Sequence, residues 1–140
     1  MKKDVEAFKK ELANYSYYKK NLEGTEELIE ITEGLLSNLH GFDPSKLHYA
    51  SSTVWVETET FKRISDELDR LNRRKELRAI QIEHIESILE RLTPTIRKAC
   101  IDIYSNGKSY LEIGRKVGYS KAGLWHRIES ELEKAINHEE

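Results

Sequence analysis

The chain is expected to be all-α, a long antiparallel helical hairpin or coiled-coil stalk followed by a three-helix, helix-turn-helix domain. Three observations predict this. Charged residues make up 34% of the 140 and hydrophobic ones 38%, a balance that suits amphipathic helices with solvated outer faces. Two prolines leave long uninterrupted stretches, over which apolar residues recur every three or four positions. Towards the C-terminus, capping serines and a turn glycine punctuate short periodic segments. The expected division is a helical coiled-coil region over 1–92, with a loop at about 40–56, and a helix-turn-helix domain over 93–140.

Taken in order, residues 2–39 read as helix, with Val5, Phe8, Leu12 and Tyr15 on one face. The phase slips near Gly24-Thr25, where a fresh start is expected, and Leu28, Ile31, Leu35 and Leu39 continue the stripe. Residues 40–56 read as a connecting loop, with Val54-Trp55-Val56 as an extended stretch. From Thr58 to Leu92 a long helix is expected. Phe61, Ile64, Leu68, Leu71, Ile82, Ile85, Leu89 and Leu92 fall on its heptad seam, which Lys75 and Arg78 interrupt. Two stretches of helix separated by a loop favour a hairpin within one chain, though the same seam serves a coiled coil between chains. Because one helix-turn-helix module has modest specificity, a homo-oligomer or a polymerase partner is expected.

Thr93-Pro94 marks a boundary, a capping hydroxyl before proline at the first helical position. The next helix buries Ile96, Ala99 or Cys100, and Ile103, and ends at Ser105-Asn106-Gly107. Ser109-x-x-Glu112 is a capping-box start, Ile113 and Val117 share one face, and Gly118 supplies a left-handed turn residue. Ser120 caps a last helix whose inner positions are Leu124, Ile128, Leu132 and Ala135. Gly114, inside the preceding helix, is expected where a second helix crosses closely.

Charge is local rather than global. The chain carries a formal charge of −2, yet residues 94–127 hold seven Lys or Arg against two acids. Residues 128–140 hold one Lys against five Glu. Positive charge thus gathers at the start of the last helix, the end that enters the major groove in this motif. Lys121 and Arg127 are placed to grip phosphate or read guanine, with Lys108 adding charge beside the Ser109 cap. Ser109 and Tyr110, at the other helix start, can offer hydroxyls to a phosphate. Arg73, Arg74, Lys75 and Arg78 read as the solvated middle of a stalk sooner than as a second nucleic-acid patch.

Other classes are argued against. Five histidines (40, 48, 84, 126 and 138) and the single Cys100 show no metal-ligand spacing, so no metal or cofactor is expected. There is no glycine-rich phosphate loop and no serine elbow, and an enzyme is not expected. No apolar run approaches the ~20 residues that span a bilayer, and no signal-peptide core follows Met1-Lys2-Lys3. No membrane partner is expected. Cys100 reads as a small buried residue in a reducing, cytoplasmic compartment.

Leu92-x4-Arg97, Ile103-Tyr104, Gly107-Lys108-Ser109-Tyr110-x-Glu112-Ile113 and Gly118-Tyr119-Ser120-x3-Leu124-x2-Arg127-Ile128 resemble the promoter-reading C-terminal domain of sigma-70-type factors. With the helical first two-thirds, the chain resembles small phage late-transcription regulators of the ArpU and RinA type. That resemblance implies a DNA-binding transcription regulator acting on double-stranded DNA in the host cytoplasm, alongside RNA polymerase. It implies that Ser120, Lys121, Ala122, Trp125, His126 and Glu129 face DNA. The chain departs from many such motifs at Arg127, where an aliphatic is common, and at Trp125, which either packs on a thymine methyl or buries against another chain. Two rivals remain open: a DNA-packaging recognition subunit of small-terminase type, and a helical protein-interaction module acting on polymerase.

Overall fold

The computed structural model describes residues 2–38 and 52–137. It is all-α, with no strand among the described residues. The helices are α1 (Lys2–Ala13), α2 (Tyr15–Ser37), α3 (Ser52–Leu89), α4 (Pro94–Cys100), α5 (Tyr110–Val117) and α6 (Lys121–Ile136). A π-helical segment (Ile101–Ser105) continues α4. No described helix is long and apolar enough to cross a membrane.

The first break falls at Asn14, not at Gly24-Thr25. The Asn14 side-chain amide donates to the Lys10 carbonyl at 3.2 Å, and its backbone amide reaches Glu11 at 3.0 Å. A short polar side chain that competes for backbone partners ends α1 there. Thr25 starts nothing. It sits buried within α2, its hydroxyl donating to the Asn21 carbonyl at 2.7 Å. A second departure concerns Val54-Trp55-Val56, which lies within α3 and is not extended. The rest of the expected loop, up to residue 51, lies outside the described residues.

Contacts divide the chain into residues 1–20 with 80–140, and residues 21–79. The expected boundary at Leu92-Thr93 therefore falls inside the first unit. The reason is α1. Its Val5, Phe8 and Leu12 are buried, as is Tyr15 at the start of α2, and α1 lies against α6 and the π-helical segment. One apolar cluster joins them to Ile85, Leu89, Leu92, Ile96, Cys100, Ile113, Leu124, Ile128 and Leu132. Polar ties surround it. Tyr15 donates to Glu86 at 2.6 Å, and burial together with that carboxylate pushes its hydroxyl up to about 12. Ser16 and Ser105 share a hydroxyl contact of 2.7 Å. Burial first, then the Glu131 carboxylate, pushes the Cys100 thiol up to about 12, so it remains a protonated core residue.

Two arginines in this unit close helix ends. The Arg97 guanidinium donates to the carbonyls of Leu89 (2.9 Å), Glu90 (3.3 Å) and Leu92 (3.3 Å), at and just beyond the end of α3. Arg91 does the same for Ala135 of α6 at 2.8 Å. Thr93 precedes α4 but its hydroxyl caps nothing. Its amide and hydroxyl instead bond Glu131 of α6 at 2.9 and 3.1 Å.

In the second unit α2 and α3 pair in opposite directions. Arg74 Nε donates to Thr25 Oγ1 at 2.9 Å, Arg78 Nε to Asn21 Oδ1 at 2.7 Å, and Lys75 lies 3.7 Å from Glu26. Three cations of the basic run thus hold the two helices together. This also corrects the phase of α2. Thr25, Ile29 and Thr32 are buried, whereas Leu28, Ile31 and Leu35 are exposed, Ile31 at 59%. The seam is polar at this level, so the hydroxyl-bearing row of α2, not its most apolar row, meets the arginines. Thr32 satisfies itself by donating to the Leu28 carbonyl at 2.6 Å.

Candidate nucleic-acid interface

The local signals of residues 109–136 place this surface. Ser109 Oγ accepts the Glu112 amide at 3.0 Å and starts α5. The capping box is only half made, because the Glu112 carboxylate lies 3.9 Å from Lys108 Nζ instead of returning to Ser109. At the other end Gly118 adopts φ +85°, and its amide and that of Tyr119 donate to the Gly114 carbonyl at 2.9 and 2.8 Å. Ser120 Oγ then accepts the Gly123 amide at 3.0 Å and starts α6.

Gly114 is buried, and a Cβ there would lie 2.7 Å from the Tyr119 carbonyl oxygen. The close approach comes from the backbone of the turn itself, not from a crossing helix. Gly114→Ala would gain about 1 kcal/mol of helix propensity. It must also displace a carbonyl that no rotamer change can move aside. A net destabilisation of about 1–3 kcal/mol is expected by urea denaturation, and a variant as stable as the parent would contradict this role.

On α6, Leu124, Ile128, Leu132 and Ala135 are buried, which leaves Lys121, Ala122, Trp125, His126 and Arg127 on the exposed side. Trp125 is 38% exposed, its ring meeting His126 edge-on at 5.0 Å and 81°. A hollow of about 290 Å³ opens here, lined by Tyr110, Lys121, Ala122, Trp125 and His126. Five of the ten expected contact residues therefore share one concavity, four from α6 and one from α5. Tyr110 is half-buried and its hydroxyl bonds that of Tyr104, the rings meeting edge-on at 6.0 Å. Burial first, and then that bond, holds the Tyr104 hydroxyl protonated far above its usual range.

The other five expected residues lie outside the hollow. Ser109 serves as a cap and stays exposed, as do Lys108 and Ser120. Arg127 is exposed but bonds Glu131 at 2.8 Å, so part of its charge is already met. Glu129, expected towards DNA, turns out to pair with Lys9 of α1, the two side chains only 14% and 11% exposed. Lys9 Nζ also lies 5.4 Å from the Tyr104 ring centre and 5.8 Å from that of Trp125. Burial works against its ammonium, yet the Glu129 carboxylate outweighs this and the net shift is upward. No local sequence signal marks Lys9, whose partner sits on a helix over a hundred residues away.

The cations of residues 94–127 separate into spent and free. Arg97 closes α3, Lys108 lies near Glu112, and Arg127 bonds Glu131. Lys98, Arg115, Lys116 and Lys121 make no ion pair with any described residue. Arg115 and Lys116 stand in the last turn of α5 and Lys121 in the first turn of α6, on either side of the Gly118 turn. Lys98 and Lys116 line a common hollow of about 240 Å³ with Asp102. Sequence alone counted these cations but had no means to tell which would lack a neutralising neighbour.

No family model, curated protein or solved structure matches the chain.

Proposed function

We propose that the protein is a sequence-specific, double-stranded-DNA-binding transcription regulator that sets α6 into the major groove. The observation that carries this reading is the set of unneutralised cations on both sides of the Gly118 turn, next to an exposed helix face with its own hollow. Cations held within their own protein contribute little to binding a polyanion, whereas free ones release counterions from phosphate. Arg115, Lys116, Lys121 and Lys98 take the phosphates in this proposal, and Lys121, Ala122, Trp125 and His126 approach base edges. The resemblance to phage late-transcription regulators adds the expectation of gene activation alongside RNA polymerase in the host cytoplasm.

A homo-oligomer belongs to the same proposal, since one module of this size reads few base pairs and paired half-sites add specificity. The open row Leu28, Ile31 and Leu35, at the alternating spacing of a helix–helix seam, supports it. A second reading, a protein-interaction module, is favoured by one observation, the aromatic lining of the hollow around Trp125. Selection of duplexes from a random library by the full chain separates the two. The expected result is an enriched motif, repeated at a spacing near one or two helical turns. Recovery of no enriched duplex would count against the regulator and for the protein partner.

A further inference from the structure

We propose that the hollow formed by Tyr110, Lys121, Ala122, Trp125 and His126 is a pocket for the 5-methyl edge of a thymine presented in the major groove. The inference rests on the DNA-binding reading and adds which base the surface selects. Four of the five lining side chains carry rings or a bare methyl, and the hydroxyl of Tyr110 is already engaged by Tyr104. The one cationic side chain in the lining, Lys121, makes no ion pair with a described residue. An aromatic cup with one free cation at its wall fits a ligand that is apolar at its tip and anionic along its flank.

Duplex DNA offers one such feature. Among the four bases only thymine carries an apolar group into the major groove, its C5-methyl, and the phosphate backbone runs alongside. Cytosine carries a bare C5–H in place of that methyl, so the cup would be left unfilled. The hollow, at about 290 Å³, has room for a methyl and the base edge behind it. Its walls are braced: Trp125 meets His126 edge-on, Lys9 stands 5.8 Å from the indole, and Tyr110 is tied to Tyr104. A braced cup recognises a methyl group without first having to form. The charge around it decides against a protein side chain as occupant. Lys121 at the wall makes no ion pair with a described residue, and neither do Arg115 and Lys116 across the Gly118 turn, a charge pattern that suits a polyanion.

The test uses the full chain and a duplex selected by it. Each thymine is replaced in turn by deoxyuridine, which removes only the methyl and keeps pairing and backbone charge. At one position per half-site, affinity should fall about fourfold, the effect of withholding one buried methyl. In the Trp125→Ala protein, thymine and uracil duplexes should bind alike while the salt dependence is unchanged. Without any protein variant, placing cytosine at that position should weaken binding and 5-methylcytosine should restore part of it. Equal affinity for thymine and uracil at every position overturns the pocket and leaves DNA binding standing. A Trp125→Ala protein that keeps the methyl preference overturns it too. Absence of any duplex affinity overturns both readings together.

Discussion

Replacing Phe8 by alanine should lower the free energy of unfolding by roughly 3–5 kcal/mol, the range for deleting a large buried aromatic. Phe8 is 4% exposed and belongs to the same apolar cluster as Leu124, Ile128 and Leu132 of α6. The consequence reaches beyond α1. Because α1 lies against α6 and the π-helical segment, the helices that carry the candidate interface should lose stability with it. Urea denaturation followed by far-ultraviolet circular dichroism measures the change. A loss below about 1 kcal/mol would mean that α1 is an appendage and that residues 93–137 fold without it.

The second large effect is on affinity. Replacing Arg115, Lys116 and Lys121 together by alanine removes three cations that no described residue neutralises. Each phosphate contact contributes about 0.9 to the slope of log K against log salt, so affinity at 0.1 M salt should fall roughly 500-fold for each half-site engaged. All three side chains are exposed, so melting behaviour should barely move. The matched control is Arg97→Ala, which should do the reverse. Its guanidinium closes the end of α3, so its loss should destabilise the fold more than it changes the salt slope. Equal affinities of the triple variant and the parent would remove the cationic turn from the interface.

The parts of this fold that were legible in sequence are those that local chemistry decides. Ser109, Gly118 and Ser120 punctuate α5 and α6 because a hydroxyl or a missing Cβ satisfies backbone groups within four residues. The inner row of α6 follows from a single unambiguous apolar stripe. Where two rows compete, the reading fails. On α2 the row Leu28, Ile31 and Leu35 is the more apolar, yet Thr25, Ile29 and Thr32 are buried, and Arg74 and Arg78 of α3 donate to Thr25 and to Asn21, one turn earlier on the same side. No periodicity argument on one helix can foresee the hydrogen-bond demand of another.

The same limit governs the candidate site. Its membership on α6 was readable from spacing, and five of the expected residues converge on one hollow. What could not be read was bookkeeping across the fold: that Glu129 answers Lys9, that Arg127 and Thr93 both answer Glu131, and that Arg97 is consumed by three carbonyls. Those pairings decide which charges remain for a partner. They join residues far apart in the chain, so only the folded arrangement reveals them.

The most direct measurement is the affinity of the full chain for a selected duplex, titrated by anisotropy from 50 to 300 mM salt. Four free cations around the Gly118 turn and on α4 predict a slope of log K against log salt near −3.6 for each half-site engaged, at about 0.9 for each phosphate. A slope indistinguishable from zero, or no binding at the lowest salt, would contradict the account.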